Sequence, residues 1–193
     1  MGSQSDNIMT YVETFRRGLF SLHTTRIGKI GEIFIRALKD YGDPHSKHHD
    51  LYDNTNDEKV EVKCSKVLEG DQELITQSNA IQQCIDNDPE SRPIPYKDRG
   101  NREWLCNIQQ IKRAEFEKLY YILFFKDKIC IFCIRSGEIA EADINYSDRQ
   151  HKGNEGEGQF HITHRNIKHH IDNYLDDEYT YEQFIQVFEE GDD

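Results

Sequence analysis

The chain has 193 residues, with 24 lysines and arginines against 36 aspartates and glutamates, so its formal charge is −12. This charge disfavours a non-specific nucleic-acid binder, which is usually basic, but not a specific one, whose phosphate contacts depend on local charge. No apolar run reaches bilayer length, and residues 1–7 lack the basic and apolar regions of a secretion signal. The five scattered cysteines fit reduced thiols. We therefore expect a cytoplasmic protein with no membrane partner.

The first half of the chain shows helical periodicity, then a hairpin pattern. Apolar spacing predicts helices over 8–22 and 27–41. Residues 45–65 are typical of a β-hairpin, and 72–86 of a third helix. Residues 87–103 contain three of the four prolines and predict an exposed loop.

The second half is richer in strand-like segments. We expect a strand or a bend over 104–111, strands over 120–125, 128–135 and 159–163, and a helical turn over 114–118. A polar loop is expected over 147–158, and helices over 166–174 and 181–188. The sum is an α/β fold in which helices flank a mixed central sheet. We expect a single domain over 1–193, with its core at about 26–135 and C-terminal helices and a loop in 147–193.

The hairpin carries the most informative residues. A two-residue loop at 55–56 pairs Asp50 with Glu61, and strand alternation puts Lys63 on the same face as Glu61. Directly opposite residues have Cβ atoms about 4.5–5.5 Å apart, so the two carboxylates repel unless a cation lies between them. Mg²⁺ is a hard cation that takes such oxygen ligands, and Lys63 can then orient the attacking water.

Asp53 is the alternative first acid. A three-residue loop would bring it to the Glu61 face, but would send Leu51 to the polar face. Because strand register follows the hydrophobic pattern, the sequence favours Asp50 and leaves Asp53 as the rival.

The order of these residues resembles the PD-(D/E)xK nuclease superfamily, and more narrowly the type II restriction endonucleases. The resemblance rests on Glu32 in a predicted helix, then Asp50, then Glu61-Val62-Lys63, and covers roughly residues 26–135. It departs from the pattern at His49, where the family's motif has proline.

The resemblance implies a restriction-endonuclease-like mixed β-sheet flanked by helices, and Mg²⁺-dependent cleavage of double-stranded DNA, with Mn²⁺ as a substitute. Asp50 and Glu61 would be metal ligands, Lys63 the water-positioning cation, and Glu32 a supporting acid. A palindromic site is most simply read by a two-fold homodimer. The same resemblance implies a bacterial or archaeal source.

Two other functions remain open. One is a repair or structure-specific nuclease of the same superfamily. The other is a non-catalytic nucleic-acid-binding protein, because Glu-Val-Lys on a strand is most often a solvent-facing charge pair.

Polar side chains that can contact bases or phosphates lie in the second half of the chain. Amides pair bidentately with adenine, and Lys or Arg with guanine. The candidate DNA-binding residues are Gln109, Gln110, Lys112, Arg149, Lys152, His161 and Arg165.

Overall fold

The protein is described by a computed structural model covering residues 3–70, 74–86, 91–149 and 155–190, with backbone alone for 3–10, 86 and 155. It combines two β-sheets with helices on the outside. The elements in chain order are α1 (Ser3–Ser21), α2 (Thr24–Lys39), β1 (Leu51–Asp53), β2 (Glu58–Lys66), α3 (Ala80–Asp86), a 3₁₀ helix (Tyr96–Asp98), β3 (Leu105–Ile111), β4 (Lys118–Phe124), β5 (Ile129–Arg135), β6 (Ser147–Arg149), β7 (Glu155–Thr163), α4 (Ile167–Tyr174), β8 (Leu175–Tyr179) and α5 (Tyr181–Glu190).

The larger sheet is mixed, with five strands in the order β1-β2-β4-β5-β8. Strands β2 and β4 are parallel, and the other neighbours are antiparallel. Every residue of β4 is buried, as expected for a central strand covered on both faces. The expected mixed sheet flanked by helices is therefore present.

The two faces of this sheet build separate cores. One core packs Val60, Val62 and Ile122 against α1, α2 and α5. Gly31 of α2 makes this close approach possible, because a Cβ there would lie 2.1 Å from the Cys64 sulfur.

The other core lies between the larger sheet and a three-stranded sheet in the order β3-β7-β6. Leu119 and Tyr121 of β4 pack there with Ile108 of β3 and Phe160 of β7. Glu61 and Lys63 alternate with Val60 and Val62 along β2, so they lie on this second side, at the edge near β1.

Several sequence predictions need correction. Residues 74–79 are not helical, so the predicted helix over 72–86 begins only at Ala80, and 71–73 lie outside the described residues. Residues 112–117 form turns, not a helical turn, and Lys118 already begins β4. The predicted loop over 147–158 contains β6 and residues 155–158 of β7, and residues 150–154 are not described.

Two further features concern exposure. Among the described residues, no helix has the length and apolar character needed to cross a bilayer. Large apolar side chains are exposed on and just before α3, where Leu74, Ile75, Ile81 and Ile85 are each at least 70% accessible.

Candidate active site

The β1–β2 hairpin has the register that the hydrophobic pattern predicts. Leu51 pairs with Val60 and Asp53 with Glu58, and one step further along this ladder Asp50 lies opposite Glu61. The Asp50 backbone N–H donates to the Val60 carbonyl at 3.0 Å, and its side-chain Oδ2 accepts from the Val62 N–H at 2.9 Å. The Asp50 carboxylate is therefore fixed against the strand that carries Glu61.

Glu61 and Lys63 form an ion pair on the polar side of β2, with side-chain exposures of 12% and 23%. Burial raises the pKa of Glu61 to about 7; the Lys63 ammonium opposes this shift, and the charges of Asp50 and Glu115 add to it. Asp50 and Glu61 thus place two carboxylates beside a single ammonium, a combination of oxygen donors that suits a hard divalent cation.

Asp53 has a structural role instead. Its side chain is buried, accepts hydrogen bonds from the Thr55 and Asn56 N–H groups at 3.1 Å, and pairs with Lys118 at 2.8 Å. Burial alone would raise the pKa of Asp53, but hydrogen bonds from Asn56 and Lys118 outweigh it and hold the pKa well below its usual value. Asp53 thus closes the hairpin turn and neutralises Lys118.

Asp50, Glu61 and Lys63 share one cleft of about 200 Å³ with residues from three other segments. Its lining is almost entirely polar. The remaining lining residues are Lys47, His48, His49, Gln110, Lys112, Glu115 and Glu157. The cleft therefore joins the hairpin to β3 and the start of β7.

A bulge in β3 turns two predicted DNA-binding residues into this cleft. The β3–β7 pairing shifts between Gln109 and Ile111, and Gln110 has a positive φ of 59°. An extra residue of this kind re-aims a side chain, which here leaves Gln110 and the following Lys112 at the cleft. Lys112 lies 3.7 Å from Glu157 and 4.0 Å from Glu115.

His49 positions the first acid, a role that the sequence did not reveal. Its ring is buried; Nε2 accepts from the His45 N–H at 3.2 Å, so Nδ1 is the nitrogen that can donate to Ser46 Oγ, also at 3.2 Å. Burial, then the charge of Lys59, lowers the pKa of His49, which keeps the ring neutral. The ring fixes the loop that leads into Asp50, at the position where the resembling family has proline.

Glu32 lies on α2, on the other side of β2 from the cleft lining. It forms an ion pair with Lys29 at 2.7 Å. Its charge acts on the half-buried Cys64, whose thiol pKa is raised first by burial and then by Glu32. A supporting role for Glu32 stays a prediction.

The other predicted DNA-binding residues lie outside the cleft. Gln109 and His161 project from the outer face of the three-stranded sheet, and Arg165 follows β7 at the far end of that sheet. Arg149 is exposed at the end of β6, and Lys152 lies outside the described residues.

The donor set at the cleft fits one hard divalent cation. Within the described ranges, no group of three or more His, Cys, Asp and Glu side chains is arranged to hold a metal ion. Mg²⁺ is normally bound through one or two carboxylates and retains several waters, so the Asp50–Glu61 pair is a sufficient protein contribution. A closed structural zinc centre needs four ligands and does not fit.

A larger cavity, of about 360 Å³, lies beside α1 and does not offer this chemistry. Arg16, Arg17 and Lys126 line it with the single carboxylate of Glu13. The polar cleft is therefore the better candidate for metal-dependent chemistry.

Comparisons of the chain with protein-family models, with curated proteins and with solved structures found no match. The function proposed below consequently depends on the chemistry of the cleft and on the short motif, and not on a relative.

Proposed function

We propose that the protein is a Mg²⁺-dependent, sequence-specific endonuclease of double-stranded DNA, similar to type II restriction enzymes of the PD-(D/E)xK superfamily. The observation that carries this proposal is the convergence of Asp50, Glu61 and Lys63 in one polar cleft. The fixed Asp50 carboxylate, the Glu61 carboxylate opposite it and the adjacent Lys63 ammonium are the groups that metal-assisted phosphodiester hydrolysis requires.

Asp50 and Glu61 would hold the cation, with Mn²⁺ able to replace Mg²⁺. The bound cation supplies Lewis acidity at a phosphate oxygen and lowers the pKa of a coordinated water. The Val62 N–H already orients the Asp50 carboxylate. Glu61 is restrained by its neighbour Lys63.

Lys63 acts as the positioning cation of the reaction. Its ammonium has three donors, of which Glu61 takes one, so two remain for the attacking water and a phosphate oxygen. Water attacks phosphorus as the P–O bond to the leaving group breaks. The products are a phosphate monoester and a free hydroxyl on the sugar.

We further propose that the enzyme is a homodimer acting in the cytoplasm of a bacterium or archaeon. A palindromic site presents its two strands symmetrically to a two-fold dimer. The twelve residues 74–85 carry no charge in a chain of net charge −12, and they expose Leu74, Ile75, Ile81 and Ile85. A second copy can dock there without facing like charges.

Light scattering tests this dimer. Wild type should have twice the monomer mass, whereas Ile81→Glu should be monomeric because it puts a charge into the apolar contact. Tyr11→Glu, at an exposed position of α1, is the control that should stay dimeric. A monomeric wild type, or a dimeric Ile81→Glu, would reject this surface.

Cleavage of supercoiled plasmid DNA in Mg²⁺ and in excess chelator tests the catalytic proposal. Discrete fragments in Mg²⁺ alone are the expected result. Nicks or a smear would favour a repair or structure-specific nuclease, and intact plasmid in both Mg²⁺ and Mn²⁺ would favour a non-catalytic binder.

A further inference from the structure

The outer face of the three-stranded sheet carries a ladder of polar side chains, three of which are amides. Asn107 pairs with His161, and Gln109 pairs with Gln159, across β3 and β7. Directly paired residues share a face, and residues two apart on a strand do as well. These four residues therefore form one continuous patch, which we call the amide face.

Alternation along the strands shows that the amide face points to solvent. Cys106, Ile108, Phe160 and Ile162 lie between its members, are at most 1% exposed, and belong to the core on the inner side. Asn107 and Gln109 are exposed, and their partners on β7 are half-buried. The patch is thus open to a ligand along its whole length.

None of the four side chains of the amide face has a hydrogen-bond partner among the residues that the structure describes. Other amides in the chain behave differently: Asn56, Asn79 and Asn166 use their side chains to close turns. The donors and acceptors of the amide face are therefore available for recognition.

We propose that the amide face enters the major groove of the DNA duplex and determines which base sequence is cut, an inference that rests on the proposed function. The major groove admits a two-stranded β-ribbon, and Asn or Gln pairs bidentately with adenine there. The three amides of the amide face carry no charge, so they neither repel phosphates nor attract them independently of sequence.

The dimensions and surroundings of the amide face support this mode. From Asn107 to Gln109 the amide face spans about 7 Å along β3, the rise of about two base pairs. At one end β3 continues through the Gln110 bulge to Lys112 in the catalytic cleft. At the other end lies Arg165, an exposed cation with no ion pair to a described residue. The same strand thus links the groups for base reading to the site of hydrolysis.

Binding selection separates this inference from catalysis. The probe is a double-stranded DNA library with a randomised centre, selected in Ca²⁺ by a Lys63→Ala protein that binds without cutting. We expect an enriched motif, and single changes Asn107→Ala, Gln109→Ala and Gln159→Ala should each relax the preference at one or two positions by about 5- to 150-fold.

Two matched variants serve as controls. Gln186→Ala removes an exposed amide from α5, on the far side of the larger sheet, and should leave the motif unchanged. Arg165→Ala should weaken binding to all sequences and reduce the salt dependence by about one phosphate contact, without changing the motif.

The outcomes distinguish this inference from the proposed function. Plasmid fragments that are identical for wild type and the three alanine variants would reject the amide face while leaving the nuclease intact. If the motif depends on the amide face but wild type cuts nothing in Mg²⁺ or Mn²⁺, the nuclease proposal is rejected and the role of the amide face in recognition is kept. A library with no enriched motif would overturn the inference. An enriched motif that the three alanine variants leave unchanged would also overturn it, because sequence would then be read elsewhere on the protein.

Discussion

Exchanging Asp50 and Asp53 for asparagine, one at a time, should separate catalysis from folding. Asparagine keeps the shape of aspartate and removes its charge. Asp50 supplies a carboxylate to the cleft, whereas Asp53 holds the hairpin turn and Lys118. We therefore expect Asp50→Asn to abolish cleavage with little change in stability, and Asp53→Asn to reduce stability with little change in cleavage per folded molecule.

The structure sets the size of the Asp53 effect. Oδ1 accepts the two backbone bonds, which an asparagine carbonyl can keep. Oδ2 accepts from Asn56 Nδ2 and Lys118 Nζ, both at 2.8 Å, so an amide NH₂ there would face two donors. Hydrogen bonds to charged groups contribute about 1.5–3 kcal/mol. Lys118 retains its ion pair with Glu58 in the variant, so we expect the free energy of unfolding to fall by about 2–3 kcal/mol.

For a chain of this length, that loss corresponds to a fall in Tm of roughly 4–12 °C. Asp50→Asn should change Tm by less than about 2 °C, because its amide oxygen can still accept from Val62, while cleavage falls by at least about 100-fold. Scanning calorimetry and plasmid cleavage on the same preparations measure both. A stable but inactive Asp53→Asn protein, or a fully active Asp50→Asn protein, would show that these roles are wrongly assigned.

Three further outcomes are expected. Millimolar Mg²⁺ should raise the Tm of wild type, because a ligand that binds only the folded state stabilises it. It should not raise the Tm of an Asp50→Asn/Glu61→Gln protein, and an equal rise in both proteins would contradict the metal site. Ca²⁺ should support DNA binding better than cleavage, so gel shifts without cutting should appear in Ca²⁺; equal cutting in Ca²⁺ and Mg²⁺ would contradict this. Burial lowers the pKa of His170 to about 4, compared with about 6.5 in the unfolded chain. The contribution of neutral His170 to the free energy of unfolding is therefore complete above pH 6.5 and falls by about 3 kcal/mol as the pH drops to 4. Denaturant unfolding should show the stabilities of wild type and His170→Phe diverging in that window, and parallel pH curves would contradict this.

The His170 comparison must be made between variants, because Glu61 acts in the opposite direction. Its raised pKa means that the folded state loses stability as pH rises from about 4.5 to about 7. The pH ranges over which Glu61 and His170 change stability overlap. Only the difference in stability between wild type and His170→Phe therefore reports the contribution of His170. Its ring pairs with the Tyr121 hydroxyl at 2.9 Å, a contact that phenylalanine removes at every pH.

The hairpin shows how much the sequence alone could predict. The alternation of Leu51, Val60 and Val62 is local, and it correctly set the register that places Asp50 opposite Glu61. The mixed sheet with flanking helices also followed from periodicity. These features depend on short-range patterns, which a single sequence displays.

The missed features depend on contacts between distant residues. Lys118 neutralises Asp53 from 65 positions away, and no local pattern indicates that pairing. Strand β8, at the edge of the larger sheet, reads as a solvated acidic run because it contains Asp176, Asp177 and Glu178. Charged edge strands of this kind oppose further pairing and lack the apolar alternation that reveals an inner strand.

Mg²⁺-dependent plasmid cleavage by wild type, Lys63→Ala and Lys59→Ala tests the central claim most directly. Lys59 lies on the same face of β2 and outside the cleft lining, so it matches Lys63 in chemistry without sharing its position. If Lys63 positions the attacking water, wild type and Lys59→Ala should both give discrete fragments, and Lys63→Ala should react at least about 100-fold more slowly. Equal cleavage by Lys63→Ala and wild type, or cleavage by wild type that persists in excess chelator, would contradict it.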